Sequence, residues 1–323
     1  MCDAIRYGPS RIEQCLQRKI RNGWTLQGHS KAGERTCFYI DPLNICLDAG
    51  LNTYKGVKGI LISHMHSDHS QEWIHLLNRR KEPVKGQEEE IGRPVYFPES
   101  GYDSITGLYY ANQRCGSGKK ATMKYDESFL HNRMINPIKI KVGDVFKFPG
   151  LGDIWVEVLP AYHSVDSVGY GIFAKRNKIK PEYLALSKSK KKEDKAKFIE
   201  MRKNPDISLT EMTDIPQLMF FSDSTIDNLT KHEEWKKYPT IMVECTGFDE
   251  VSDADTIYER QHTHWDHLFP VMKENKDKEW IVIHTTFGIN NDVIDKYQKI
   301  MDDNEIDGYI WKSGVVVDGK VFI

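Results

Sequence analysis

Apolar positions in this chain fall mostly into short runs of strand length, each closed by a polar residue, glycine or proline. Gly59-Ile60-Leu61-Ile62 is β-branched and unbroken, the pattern of a buried strand. Residues 36–40 and 44–50 read as two strands joined by the turn pair Asp41-Pro42. Residues 26–33 read as a strand entering a glycine-marked loop, and residues 94–98 and 154–159 as further strands. The alternation over 138–148 predicts a hairpin about Gly143-Asp144. Helical spacing appears in two places. Ile12, Cys15, Leu16 and Ile20 predict an amphipathic helix within an N-terminal extension over 1–25, and Trp73, Ile74 and Leu77 predict one over 71–80. Strands followed by strand–loop–helix units predict an α+β chain with two sheets back to back and helices outside.

Composition narrows the class. A length of 323 residues with 39% hydrophobic content suffices for one large core, and residues 1–323 are read as a single domain. No apolar run is long enough for a membrane span, and the first residues lack the apolar centre of a signal peptide. The formal net charge of −2 gives no global pull toward nucleic acid. Six cysteines without CxxC spacing read as reduced thiols, which places the chain in the cytoplasm or nucleus.

The chemistry concentrates in Ser63-His64-Met65-His66-Ser67-Asp68-His69, directly after the buried run. Imidazole nitrogen and carboxylate oxygen suit borderline divalent cations such as Zn2+. His64 and His66, one residue apart, can converge on one cation, while Asp68 and His69 point toward a second. Two cations need more ligands than one loop supplies. His163, Asp223 and His284 each follow an apolar run, and the Asp223 carboxylate can bridge. A second cluster, His262-Thr263-His264-Trp265-Asp266-His267, repeats the spacing, but the charged stretch Tyr258-Glu259-Arg260-Gln261 precedes it instead of a strand. His29, His75, His131 and His232 read as structural or solvent-exposed.

The His-x-His-x-Asp-His run is similar to that of the metallo-β-lactamase superfamily, which implies an αββα four-layer sandwich. Gly169-Tyr170 after His163, Ser222-Asp223-Ser224, Ile283-His284-Thr285-Thr286-Phe287 and the opening Ala32–Thr36 and Leu47–Gly50 segments narrow the resemblance to the tRNase Z family, nearest its short eukaryotic members. That resemblance implies an endoribonuclease that removes the 3′ trailer of precursor tRNA by attack of a metal-bound hydroxide on a phosphodiester. It implies one cation held by His64, His66 and His163, another by Asp68, His69 and His284, with Asp223 shared. Asp68 would orient the hydroxide. Val243-Glu244-Cys245-Thr246 and His262-Thr263 resemble the segments that supply the family's proton donor, which makes His262 the general acid and Glu244 its carboxylate partner, with His264 the competing choice.

Residues 175–215 stand where the family carries a tRNA-gripping arm. Between Lys175 and Lys203 twelve lysines and arginines face four acidic residues, which reads either as a phosphate-binding surface or as a solvated lysine loop. The family also implies a homodimer. The alternative activity is hydrolysis of small esters, lactams or phosphodiesters on the same fold, for which neither the Glu244–His262 pair nor the basic segment is needed.

Overall fold

The computed structural model of the chain describes residues 9–77, 92–117, 135–317 and 320–322. The charged stretch at 81–90, the end of the helix expected over 71–80, and His131 lie outside the described residues.

Two seven-stranded sheets form the body. The first runs in chain order through β1 (Gln17–Lys19), β2 (Thr25–Lys31), β3 (Arg35–Asp41), β4 (Ile45–Leu47), β5 (Gly59–Leu61), β6 (Arg93–Pro98) and β7 (Ile135–Ile140). The second holds β8 (Val145–Lys147), β9 (Ile154–Ala161), β10 (Ser167–Ile179), β11 (Thr210–Phe220), β12 (Thr240–Glu244), β13 (Glu279–Ile283) and β14 (Gly308–Ile310), again side by side in chain order. Each sheet begins with an antiparallel ladder of four strands and continues with parallel strands. A small hairpin, β15 (Val315–Val317) and β16 (Lys320–Phe322), closes the described chain.

The helices are α1 (Ser67–Ser70), α2 (Trp73–Leu77), α3 (Tyr102–Ser117), α4 (Pro181–Lys188), α5 (Lys192–Lys203), α6 (Asp227–Thr230), α7 (Ala254–Glu259), α8 (Trp265–Glu274) and α9 (Asn291–Asp303). Trp73, Ile74, Leu77, Ile105 and Tyr109 from α2 and α3 cover the outer face of the first sheet. Trp265, Leu268, Met272, Ile294 and Tyr297 from α8 and α9 cover that of the second. Between the sheets Phe38, Leu47 and Leu61 meet Val156, Ile172, Phe220 and Ile283. β3 shows why its run is apolar throughout. Phe38 and Ile40 face the other sheet while Cys37 and Tyr39 face the helices, so a strand covered on both sides has no polar face to alternate with. The four-layer αββα sandwich is thus the observed architecture. Among the described residues no helix is long and apolar enough to cross a membrane.

Two local expectations are corrected. Residues 9–24 are not a helix but a 3-10 turn, Ile12–Gln14, followed by the edge strand β1. Ile12 and Cys15 pack beneath the outer helices of the first sheet, whereas Ile20 enters the core between the sheets. One helical stripe could not serve two layers. The alternation over 138–148 is not a hairpin either. Its halves, β7 and β8, lie on edges of different sheets, so the turn at Gly143 (φ +92°) carries the chain from one layer to the other. Alternation reports which face is apolar, not which strand is the partner.

The hairpin of β10 and β11 continues its ladder to Ile179↔Thr210 and carries α4 and α5 at its far end. Neither helix has a buried residue. The lysine-rich segment therefore projects on a two-stranded stalk.

Candidate metal centre

Parallel neighbours share an edge at their C-terminal ends, and the sequence places polar residues just there. Asp48 and the Ser63–His69 loop follow the parallel pair β4 and β5. Asp223, Glu244 and His284 end or follow β11, β12 and β13, also mutually parallel, and His163 follows β9 of the same sheet. All seven ligand positions read from the sequence meet in one cluster.

The donors fall into two sets that share one carboxylate. In the first, His66 Nδ1 lies 3.1 Å from His64 Nε2 and 3.3 Å from His163 Nε2. Asp223 Oδ2 stands 3.9 and 4.0 Å from the latter two nitrogens. In the second, Asp223 Oδ1 is 3.2 Å from His69 Nε2 and 3.1 Å from His284 Nε2, and Asp68 Oδ2 is 3.4 Å from His69 Nε2.

The outward ring nitrogens set the tautomers. His69 Nδ1–H donates to Asp48 (2.8 Å), His163 Nδ1–H to the Gln261 carbonyl (2.9 Å), His64 Nδ1–H to Ser63 Oγ (2.9 Å) and His284 Nδ1–H to Thr246 Oγ1 (3.0 Å). The inward nitrogens of His64, His163 and His284 are left with lone pairs aimed into the cluster, and that of His69 faces Asp223. His69 Nε2, His284 Nε2 and Asp223 Oδ1 are buried with no hydrogen-bond partner. Orphaned buried polar atoms are costly, and a divalent cation in each set would satisfy them all. The residues fit such cations.

Protonation supports this fit. Burial, helped by His69, holds the His64 pKa well below the usual imidazole value, and burial also lowers that of His163. Both stay neutral at pH 7. His69 is raised well above the ordinary value, because Asp223 and Asp48 overcome the effect of its burial. Asp223, in spite of burial, is held well below the carboxylate range by His284 and His69. Without a cation His69 keeps a proton, which cation binding must expel.

Two buried carboxylates act as anchors behind the donors. Asp48 accepts from the backbone N–H of Ser63 (2.7 Å), from Ser63 Oγ (3.1 Å) and from Ser222 Oγ (2.8 Å) as well as from His69. It orients His69 directly and His64 through Ser63. Glu244 takes the same part in the second sheet, holding His262 directly and His284 through the Thr246 hydroxyl. Asp48 and Thr246 hold candidate donors in place, a part the sequence reading did not assign to them. The available signals were an aspartate inside an apolar run and a threonine two residues past a buried glutamate. Asp48 (φ +56°) and His284 (φ +63°) both sit in the left-handed region, a strain that cores tolerate where a side chain must be aimed.

Gly50 sets the spacing of the loop. A Cβ there would lie 2.0 Å from the Asp68 carbonyl oxygen and 2.6 Å from the Thr36 nitrogen. Gly50→Ala is expected to destabilise the fold by ~1–3 kcal/mol and to weaken the Asp68–His69 half of the centre. Calorimetry with metal analysis checks this; normal content of both cations in the variant contradicts it.

The second histidine cluster divides. His262 Nδ1 lies 2.9 Å from Glu244 Oε1, and its ring is 5.0 Å from that of His163 and 5.7 Å from that of His284. Burial works against its protonation, but the charge and hydrogen bond of Glu244 raise its pKa to about 9. His264 has both nitrogens engaged. Nδ1 accepts from the Asp266 N–H at the start of α8 (3.2 Å) and Nε2–H donates to the Ser252 carbonyl (3.1 Å). Asp249 and Asp266 flank it at 3.8 Å and are exposed, so it caps a helix and offers no lone pair to a metal. His29 is buried, His75 exposed, and His232 pairs with the Tyr162 hydroxyl at 2.8 Å.

No protein-family model matches the chain. Among characterised proteins, tRNase Z TRZ1 of Arabidopsis thaliana is 21% identical over 267 residues, which cover 81% of this chain and 85% of the relative. The metallo-β-lactamase fold protein YhfI of Bacillus subtilis superposes with a TM-score of 0.52 at 14% identity, over 88% of this chain and 95% of its own. The short form of human tRNase Z superposes with a TM-score of 0.50 at 13% identity, over 92% of this chain and 99% of its own. The chain has the metallo-β-lactamase fold, and its resemblance to tRNase Z extends over most of its length.

Proposed function

We propose that this chain is a metal-dependent endoribonuclease of the tRNase Z type that removes the 3′ trailer of precursor tRNA. The observation that carries the reading is the Glu244–His262 pair beside two complete donor sets, a proton donor poised next to a place for a nucleophile. The homologous tRNase Z supports the same substrate. The fold alone would not choose it, since a diphosphatase of the PhnP family shares it with a TM-score of 0.53 at 8% identity.

His64, His66 and His163 would hold one cation and Asp68, His69 and His284 the other, with Asp223 shared; nitrogen-rich sets of this kind favour zinc. Such cations supply a water ionised near neutral pH and offset charge on the reacting phosphate. Asp68, whose side chain is partly exposed at the centre, orients that water by accepting its hydrogen. His262, its Nδ1 bound to Glu244, turns Nε2–H to the leaving 3′ oxygen and protonates it. The basic stalk-borne helices contact phosphates away from the cut, with affinity that falls as salt rises. The protein works as a homodimer, which light scattering tests, in a compartment that keeps its buried thiols reduced.

The reading is tested by incubating the protein with a pool of precursor tRNAs and sequencing the products. Shortening at the 3′ end, abolished by a chelator, is the expected result. Faster turnover of a chromogenic lactam than of any precursor would instead favour the small-substrate hydrolase.

The pKa of His262 adds a second test. The protonated form is the active one, so activity falls as pH rises through its pKa of about 9. Glu244→Gln removes the charge that raises this pKa while burial still lowers it, so the alkaline limb of the cleavage profile moves to lower pH, toward or below the ordinary value of about 6.5. An unmoved alkaline limb would contradict the pairing.

A further inference from the structure

We propose that Phe287 and Lys31 form a nucleotide seat at the rim of the metal centre, where a base of the RNA stacks on the ring and its phosphate meets the ammonium. The proposal rests on the endoribonuclease reading and deepens it by assigning a place for the nucleotide next to the cut.

Phe287 stands three residues after His284, yet it is 62% exposed, while Thr285 between them is buried. An aromatic ring so open, so near a buried ligand, is not held there by core packing. Lys31 presents the opposite anomaly. It is only 8% exposed, and its ammonium lies 5.0 Å from the centroid of the Phe287 ring. Among the described residues no carboxylate stands within 4 Å of that ammonium, and no oxygen accepts a hydrogen bond from it. Glu34, on the same turn, lies 3.6 Å from His29 and acts on the Lys31 charge only from beyond contact distance. A sheltered cation with no contacting anion is costly, and one cation–π contact offsets little of that.

The two residues come from different segments locked together. Lys31 ends β2 and forms a bridge with Thr285, and the Ala32 N–H donates to the Thr285 carbonyl at 3.1 Å. The β2–β3 turn is thereby tied to the loop that carries His284. The seat cannot drift relative to the donor set that contains His284, so its occupant is a neighbour of the scissile phosphate.

One nucleotide resolves both anomalies. Its phosphate supplies the contacting anion that Lys31 lacks, and its base covers Phe287, because every base offers a flat face to an aromatic ring. An apolar protein side chain would cover the ring and leave the ammonium unpaired, so charge complementarity favours RNA.

Steady-state cleavage of a precursor tRNA tests this with three variants. Phe287→Ala is expected to raise KM by ~10-fold or more with kcat changed little, and Phe287→Tyr to restore it. Precursors with a single abasic nucleotide at successive positions around the cut locate the partner base. At one position the abasic change raises KM for the parent protein but not for Phe287→Ala. Lys31→Met is expected to lower the salt dependence of KM by about one phosphate contact. Bound-metal content, measured for every variant, reports on folding. An unchanged KM in Phe287→Ala with full metal content, or independent effects of ring and base at every position, overturns the seat alone. No cleavage of any precursor by the parent protein overturns the endoribonuclease reading and the seat with it.

Discussion

Asp223→Ala is expected to reduce RNA cleavage by roughly four orders of magnitude or more, because it takes a donor from both halves of the centre, whose cations would supply the ionised water that the reaction needs. Asp223 is the one carboxylate common to the two donor sets, 4% exposed and within 4.0 Å of four imidazoles. Each of those rings is held from behind by a separate hydrogen bond, so none can swing in to replace it. Without the carboxylate, His69 loses the larger of the two charges that raise its pKa. The remaining rings form a crowded pocket with one fewer donor for each cation. Metal analysis should therefore find less than the parent content. Wild-type content of both cations together with full activity would remove the shared carboxylate from the mechanism. His66→Ala makes a useful contrast, since it takes one donor from one set only and should spare the Asp68–His69–His284 half.

His262→Ala is expected to slow cleavage by ~10²–10⁴-fold while both cations remain bound. The residue touches neither donor set by hydrogen bond, and its anchor Glu244 keeps two other donors, the Ser224 N–H at 2.5 Å and the Thr246 hydroxyl. The anchor still orients His284 through Thr246 after the substitution. The loss should therefore appear in kcat and be smaller with a substrate whose leaving oxygen needs no proton, such as an activated aryl phosphodiester. A rate loss of equal size on both substrates would point to damage of the centre, and undiminished cleavage with normal metal would refute the proton-donor role. His264→Ala provides the comparison for the neighbouring histidine. It uncaps α8 and should cost stability rather than chemistry.

The sequence by itself determined the parts of this protein that are written locally. A buried run followed by His64, His66, Asp68 and His69 announces its chemistry within eleven residues, because strand periodicity and ligand spacing are both short-range properties. The later candidate donors were legible for the same reason, each being a polar residue at the end of an apolar run, and the family resemblance supplied their order. What the tertiary structure decided is every choice that depends on a partner far along the chain. Asp48 looks like a turn residue until Ser63, His69 and Ser222 are seen to converge on it. His262 and His264 lie two residues apart and only the family resemblance favoured His262; in the fold Glu244 stands against His262, whereas His264 caps the start of α8. The pattern over 138–148 has the right alternation for a hairpin and yet spans two sheets. Lys31 and Phe287 are 256 positions apart and meet only because the β2–β3 turn docks on the His284 loop. Local pattern encodes which face of an element must be buried; which other element buries it is settled by the packing of the whole core.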